Sequence, residues 1–126
     1  MTYTFQDTLT NVASNVKRSG VLATDLATLQ KAIDLTGVSG TDYAAATVAH
    51  PTAETLSSGA TTLVVRAKTA GAAGNSIATT ETSATAAWGA ATMAGGADAT
   101  SFDAKAKLKK YTADQISRAS SAAELP

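Results

Sequence analysis

His50 is the only histidine in the chain, and the chain contains no cysteine. A zinc site would have to combine His50 with carboxylates such as Glu54, whereas zinc sites favour several histidine or cysteine ligands. A Ser-His-Asp triad would need the same histidine, and no nucleophile-elbow sequence of the Gly-x-Ser-x-Gly type occurs. We therefore interpret His50, which precedes Pro51, as a loop residue. The sequence predicts no enzyme activity, no cofactor and no metal site.

A glycine-rich segment, Gly71-Ala72-Ala73-Gly74-Asn75-Ser76, is the second place where chemistry could occur. Loops of similar composition hold phosphate groups when they end in Gly-Lys-Ser or Gly-Lys-Thr, and that ending is absent here. Glycine followed by asparagine is typical of a tight turn. We predict a turn between strands at this segment, not a phosphate-binding loop.

Basic side chains cluster near the carboxyl end of the sequence. The formal net charge is zero, but residues 101–126 carry five basic and three acidic side chains. The cluster consists of Lys105, Lys107, Lys109 and Lys110. Clustered cations can contact phosphate backbones, yet only Phe102 and Tyr111 lie beside them as aromatics, and no base-reading motif is visible. A solvated arm, or one that pairs with acidic residues of a neighbouring subunit, is favoured over a nucleic-acid contact.

The composition predicts one small domain with a thin core. The chain has 126 residues, of which 44% are hydrophobic but only 5% aromatic, so alanine supplies much of the apolar fraction. Apolar burial stabilises by roughly 25 cal/mol per Å², and alanine buries little surface. Small domains compensate for weak cores in part through oligomerisation, so we expect the protein to work within an oligomer or larger assembly.

The sequence also predicts no contact with a membrane. No apolar run approaches the roughly 20 residues that a membrane helix needs. Met1-Thr2-Tyr3-Thr4-Phe5 has neither the basic start nor the apolar core of a signal peptide. We expect synthesis in the cytosol.

Residues 24–35 give the clearest helix prediction. Thr24 is placed to cap the N-terminus, Asp25 to complement the helix dipole, and Gly37 to end the helix in a left-handed conformation. The apolar stripe expected to cover a sheet consists of Leu22, Leu26, Leu29 and Ile33.

Alternating and β-branched residues predict the strands around this helix. They are expected at 2–5, near 15–18, at 46–49, at 63–68, within 77–85 and at 92–94. A polar loop is expected over 54–60, and residues 6–15 are ambiguous, with a loop favoured over a helix. The predicted fold is α+β, a mostly antiparallel sheet of about five or six strands with one packed helix and a C-terminal helical arm.

A small-residue linker over 97–101 precedes the arm, in which residues 102–110 alternate in character. Residues 112–115 match a capping box, with Tyr111 and Ile116 as a hydrophobic staple, so a helix to about Ala123 should follow. We divide the chain into an α+β structural module, residues 1–98, and a basic C-terminal arm with a short helix, residues 99–126. The residues expected at an interface are Trp88, Phe102, Lys105, Lys107, Lys109, Lys110, Tyr111 and Ile116.

Two long segments carry a resemblance to a known module. Their sequences are AKTAGAAGNSIATTET, at 67–82, and WGAATMAGG, at 88–96. Together with the Thr-Tyr-Thr-Phe start, the helix at 25–35 and the segment 47–51, they resemble in sequence and order a module of tailed-bacteriophage structural proteins. The resemblance covers roughly residues 2–97, and the basic arm lies outside it.

This resemblance implies a virion building block, made in the host cytoplasm and located in the virion. In longer members of the family the module is embedded in a larger chain, so we expect here a small free-standing subunit with its own docking arm. A capsid decoration or cement protein is favoured, with copies of itself and the major capsid protein as partners. The alternatives are a tail, neck or baseplate component, which would contact tail proteins, and a head protein that contacts DNA through its lysines.

Overall fold

The computed structural model describes residues 1–98, and Met1–Gly96 form one compact unit. The elements in chain order are β1 (Thr4–Gln6), β2 (Asn15–Lys17), α1 (Leu22–Asp34), β3 (Ala53–Ser58), β4 (Leu63–Ala67) and a 3₁₀ turn (Ala72–Ser76). The predicted arm, residues 99–126, lies outside the described residues.

The prediction of one antiparallel sheet of five or six strands is wrong. Within residues 1–98 the structure has four short strands in two separate two-stranded sheets. The segments predicted as strands at 77–85 and 92–94 contribute only an isolated bridge between Ala78 and Thr92. Their alanine and threonine side chains offer too little apolar surface to hold additional strands against a core.

The first sheet is parallel and contains the centre of the core. Phe5 pairs with Val16, and Val16 is fully buried. It packs with Ala32 of α1 and with Tyr43, whose hydroxyl donates to the carbonyl oxygen of Gly37 at 2.9 Å. The loop between β1 and β2 agrees with the loop favoured for residues 6–15.

Helix α1 begins earlier than predicted. Its N-cap position is Val21, without a side-chain cap, so the predicted capping role of Thr24 is wrong. Instead, Asp25 accepts hydrogen bonds from the backbone N–H and the hydroxyl of Ser19, at 2.6 and 2.7 Å, which fixes the entry to the helix. The helix ends at Asp34, and its C-cap residue, Leu35, adopts the left-handed conformation (φ 56°) expected further on at Gly37.

The second sheet is an antiparallel hairpin of β3 and β4, and β3 occupies most of the stretch predicted as a polar loop. The aspartate that ends α1 holds it there. Thr55 donates its backbone N–H to Asp34 Oδ1 at 2.9 Å and its hydroxyl to Asp34 Oδ2. Ser58 donates to Gln30 Oε1 at 2.7 Å. The polar side chains that suggested a loop are the ones that attach the strand to the helix.

Candidate assembly surface

The glycine-rich segment folds back on the end of the described chain. Asn75 donates its Nδ2 to the carbonyl oxygen of Gly96 at 2.9 Å and accepts the Gly96 N–H on Oδ1, also at 2.9 Å. A Cβ at Gly96 would overlap the carbonyl oxygen of Gly71, and one at Gly74 would lie 2.8 Å from the Cβ of Ala67. We call these residues the glycine knot: Gly71, Gly74, Asn75 and Gly96.

An open cleft of about 300 Å³ lies between the glycine knot, residues 93–96 and β4. Val65, Arg66 and Ala67 all line it. Because successive side chains of a strand point to opposite faces, three consecutive residues line one cleft only along the edge of the strand. The cleft therefore lies along the edge of β4 that faces away from β3.

Among the described residues, no strand lies beside the backbone groups on this edge. Lys68 donates its N–H to Thr52, on the β3 side, at 2.9 Å. Since hydrogen-bonding directions alternate along an antiparallel strand, the N–H and C=O groups of Val65 and Ala67 point away from β3. Within residues 1–98 they make no backbone hydrogen bond across the cleft. An unpaired row of this kind is a template for another extended segment.

The outer face of the hairpin exposes large apolar side chains. Leu56, at the β-bulge of β3, is 58% exposed, and Val64 of β4 is 45% exposed. Beside them, Arg66 Nε and Glu54 Oε1 form an exposed ion pair at 3.0 Å. Exposed apolar groups with a charged rim are typical of an interaction surface.

Trp88, an interface candidate from the sequence, lies at the surface and is 39% exposed. Its indole Nε1 donates to the carbonyl oxygen of Thr80 at 3.1 Å. Two backbone hydrogen bonds join the two ends of the loop that carries Trp88. Thr79 donates its N–H to the carbonyl oxygen of Ala91, and Met93 donates its N–H to that of Ile77, each at 3.0 Å. Trp88 therefore belongs to an exposed loop and not to the core, and its role in an interface stays a prediction.

The other candidates from the sequence lie outside the described residues: Phe102, Lys105, Lys107, Lys109, Lys110, Tyr111 and Ile116. The predicted interface is thus represented in the structure by Trp88 alone. The cleft and the β4 edge were not predicted as a site. The cleft depends on the hydrogen bonds between the Asn75 side chain and Gly96, and a single long-range contact of this kind produces no periodic pattern in the sequence.

His50 has a structural role in the loop before β3. Its Nδ1 accepts hydrogen bonds from the backbone N–H groups of Thr52 and Ala53, at 3.3 and 3.0 Å. Its ring stacks on Tyr3 with centroids 6.2 Å apart. Burial, followed by the positive charges of the N-terminus and Lys68, lowers the pKa of His50 and favours the neutral ring that can accept these bonds.

Two kinds of site find no support in the part of the chain that the structure describes. Residues 1–98 contain no group of three or more histidine, cysteine, aspartate or glutamate side chains placed to hold a metal ion. Among the same residues, no helix has the length and apolar character to cross a membrane, and α1 has 13 residues.

Comparison of the chain with protein-family models, with curated proteins and with solved structures finds no match. The resemblance to tailed-phage structural proteins therefore stays a prediction. The surface described above rests on its own geometry: an unpaired strand edge, a cleft beside it, and exposed apolar side chains.

Proposed function

We propose that the protein is a non-enzymatic structural subunit of a bacteriophage virion. In this role it decorates or cements the capsid and stabilises the particle through contacts between subunits. The phage context comes from the sequence resemblance, and the assembly role is supported by the way the chain distributes its apolar side chains.

One observation carries the assembly role. The hydrophobic residues buried in the described part are Val16, Ala32, Ile33, Tyr43, Ala44 and Ala53, so half of them are alanines. Eleven large hydrophobic side chains of residues 1–98 are instead exposed, Leu56, Val64 and Trp88 among them. A subunit on a lattice buries such side chains against its neighbours and gains the stabilisation that its own core does not supply.

The free energy of these contacts acts on the assembled state. Each large side chain that a neighbour buries contributes roughly 1.5–3 kcal/mol before the costs of ordering are subtracted. A ligand that binds only the assembled shell stabilises it by mass action, and the effect multiplies over many copies. A decoration protein therefore needs a contact surface and no reactive group.

Binding to empty shells tests this proposal. Purified protein is mixed with preassembled expanded capsids of the phage and with its isolated tails, and bound copies are counted after sedimentation. Decoration predicts saturable binding to capsids at near-stoichiometric copy number. Binding to tails alone contradicts decoration and favours the tail, neck or baseplate role. Absence of binding to both particles contradicts a virion role.

A further inference from the structure

We propose that the open edge of β4 accepts residues 102–109 of a second copy of the chain as an added antiparallel strand. This inference rests on the assembly role proposed above and names the contact that carries it. Strand addition uses backbone groups that already point outward, those of Val65 and Ala67, so it requires no rearrangement of the hairpin.

The sequence of this segment suits an added strand. Its even positions are Phe102, Ala104, Ala106 and Leu108, and its odd positions are Asp103, Lys105, Lys107 and Lys109. In an extended strand these two sets lie on opposite faces. The apolar set would continue the half-buried face of β4, which carries Val65 and Ala67 beside the glycine knot. The charged set would continue the outer face, which carries Arg66.

Charge selects the register and the direction. Asp103 is the only acidic residue of the segment. We set the register by placing Asp103 directly opposite Arg66 of β4, where the opposite charges attract. An antiparallel strand in this register places Lys105 beside Val64. A parallel strand would place Lys105 beside Lys68, where like charges repel. The antiparallel arrangement is therefore favoured.

A strand supplied by a neighbour gives the assembly its connectivity. Each copy contributes one arm and receives one on its β4 edge, so the contact is heterologous, and such contacts either close into rings or continue across a lattice. The added strand also blocks the open edge, which would otherwise be a site of non-specific aggregation.

Disulfide trapping between copies tests the register. The chain has no cysteine, so introduced cysteines report only on the chosen pair. Copies carrying Val64→Cys are mixed with differently tagged copies carrying Lys105→Cys, which the register places opposite each other at a Cα separation of about 4.5 Å, within disulfide range. The matched control mixes Val64→Cys with Lys107→Cys, two residues out of register. We expect about tenfold more disulfide-linked pairs in the first mixture, because the control pair lies beyond the usual Cα range.

Proline substitution tests the backbone hydrogen bonds. The register directs the N–H of Ala104 toward Val65 and that of Lys105 away from it. Because proline removes the N–H, Ala104→Pro should lower the yield of linked copies more than Lys105→Pro does. Each substitution is placed in copies that carry Ala106→Cys, and these are mixed with copies that carry Leu63→Cys, a pair that the register also places opposite each other, so that the yields are compared in one defined register.

The outcomes separate this inference from the proposed function. Preferential linkage of Val64→Cys to Lys105→Cys between copies supports strand addition. A variant that carries both Val64→Cys and Lys105→Cys is the further control. If its disulfide forms only within one chain, the exchange of arms between copies is overturned. Equal or absent linkage in both mixtures, with binding to particles retained, overturns strand addition and leaves the assembly role in place. Loss of particle binding by the unmodified protein would overturn both.

Discussion

Two tyrosines show how single atoms contribute to this fold. The hydroxyl of Tyr43 donates to the carbonyl oxygen of Gly37 at 2.9 Å, whereas the buried hydroxyl of Tyr3 has no hydrogen-bond partner among the described residues. Burial, with a smaller effect of the Asp34 carboxylate, raises the pKa of Tyr3 to about 12. Tyr3 therefore carries a polar group that the core does not use.

Phenylalanine substitution separates the two tyrosines. Tyr43→Phe loses a hydrogen bond and should lower the free energy of unfolding by about 1 kcal/mol. Tyr3→Phe removes an unpaired hydroxyl and should leave that free energy unchanged or raise it. Urea unfolding followed by circular dichroism measures both variants. A larger loss in Tyr3→Phe than in Tyr43→Phe would show that the Tyr3 hydroxyl has a partner.

His50 makes stability depend on pH near neutrality. Its pKa in the folded protein is below the ordinary value of 6.5, so the unfolded chain takes up a proton first as the pH falls. Its contribution to stability is therefore complete above pH 6.5 and is lost as the pH falls from there through the folded pKa. His50→Asn keeps an acceptor for the following N–H groups but does not titrate. We expect the urea midpoint of the native protein to fall more than that of His50→Asn between about pH 7.5 and pH 5. An equal fall of the urea midpoint with pH in the two proteins would contradict this role of His50.

At the scale of elements, the helix and the hairpin depend on polar attachment as much as on apolar packing. The sequence predicted α1 to within two residues, because its apolar side chains recur at helical spacing, and β4 closely, because its β-branched residues favour a strand. It failed at β3, where Thr55 and Ser58 look like loop residues until Asp34 and Gln30 are in place to bind them. Long-range polar pairs of this kind leave no local signal.

Removal of the Asp34 carboxylate tests this attachment. Asp34→Ala loses two hydrogen bonds to a charged acceptor and should cost about 2 kcal/mol of stability. Glu54→Gln is the matched control on β3 itself, because it removes only an exposed ion pair to Arg66, worth about 0–1 kcal/mol. The free energies of unfolding of the two variants should differ by at least 1 kcal/mol. Equal losses would mean that Asp34 does not hold the strand.

The glycine knot shapes the cleft, and a methyl group at Gly96 should disrupt it. A Cβ there meets backbone atoms of Gly71, whereas a Cβ at Gly89 has no heavy atom within 4 Å. We expect Gly96→Ala to cost about 1–3 kcal/mol, as overpacking does, and Gly89→Ala to stay within about 0.5 kcal/mol of the native protein. Hydrogen exchange should show faster exchange of the Gly96 amide region only in the first variant. Unchanged exchange in Gly96→Ala would contradict the close contact.

At the scale of the whole molecule, composition predicted a thin core, and the described core with its three alanines agrees with that expectation. The number of strands could not be predicted from local patterns. Threonine-rich segments such as 77–85 have strand propensity, but propensity forms a sheet only where a partner strand and an apolar face exist. The candidate surface was missed for the same reason, since an open edge is a property of pairing and not of any one segment.

Deletion of residues 101–126 tests the arm at this scale. The described unit ends before this segment, so the truncated protein should keep the fold of residues 1–96. Its incorporation into particles should fall by about tenfold or more if the arm links copies, because the loss of a whole added strand removes several backbone hydrogen bonds at once. Circular dichroism of the truncated protein is the control that reports whether it stays folded. Undiminished incorporation would contradict a docking role for the arm.

The most direct measurement of the assembly role is the number of copies of this protein in a purified phage particle, determined by quantitative mass spectrometry against the major capsid protein. If the protein is a decoration subunit, its copy number should be comparable to that of the capsid protein. When capsids and tails are separated, the copies should be found with the capsids and not with the tails. A handful of copies per particle would contradict decoration and indicate a tail ring. Absence of the protein from the particle would contradict a structural role altogether.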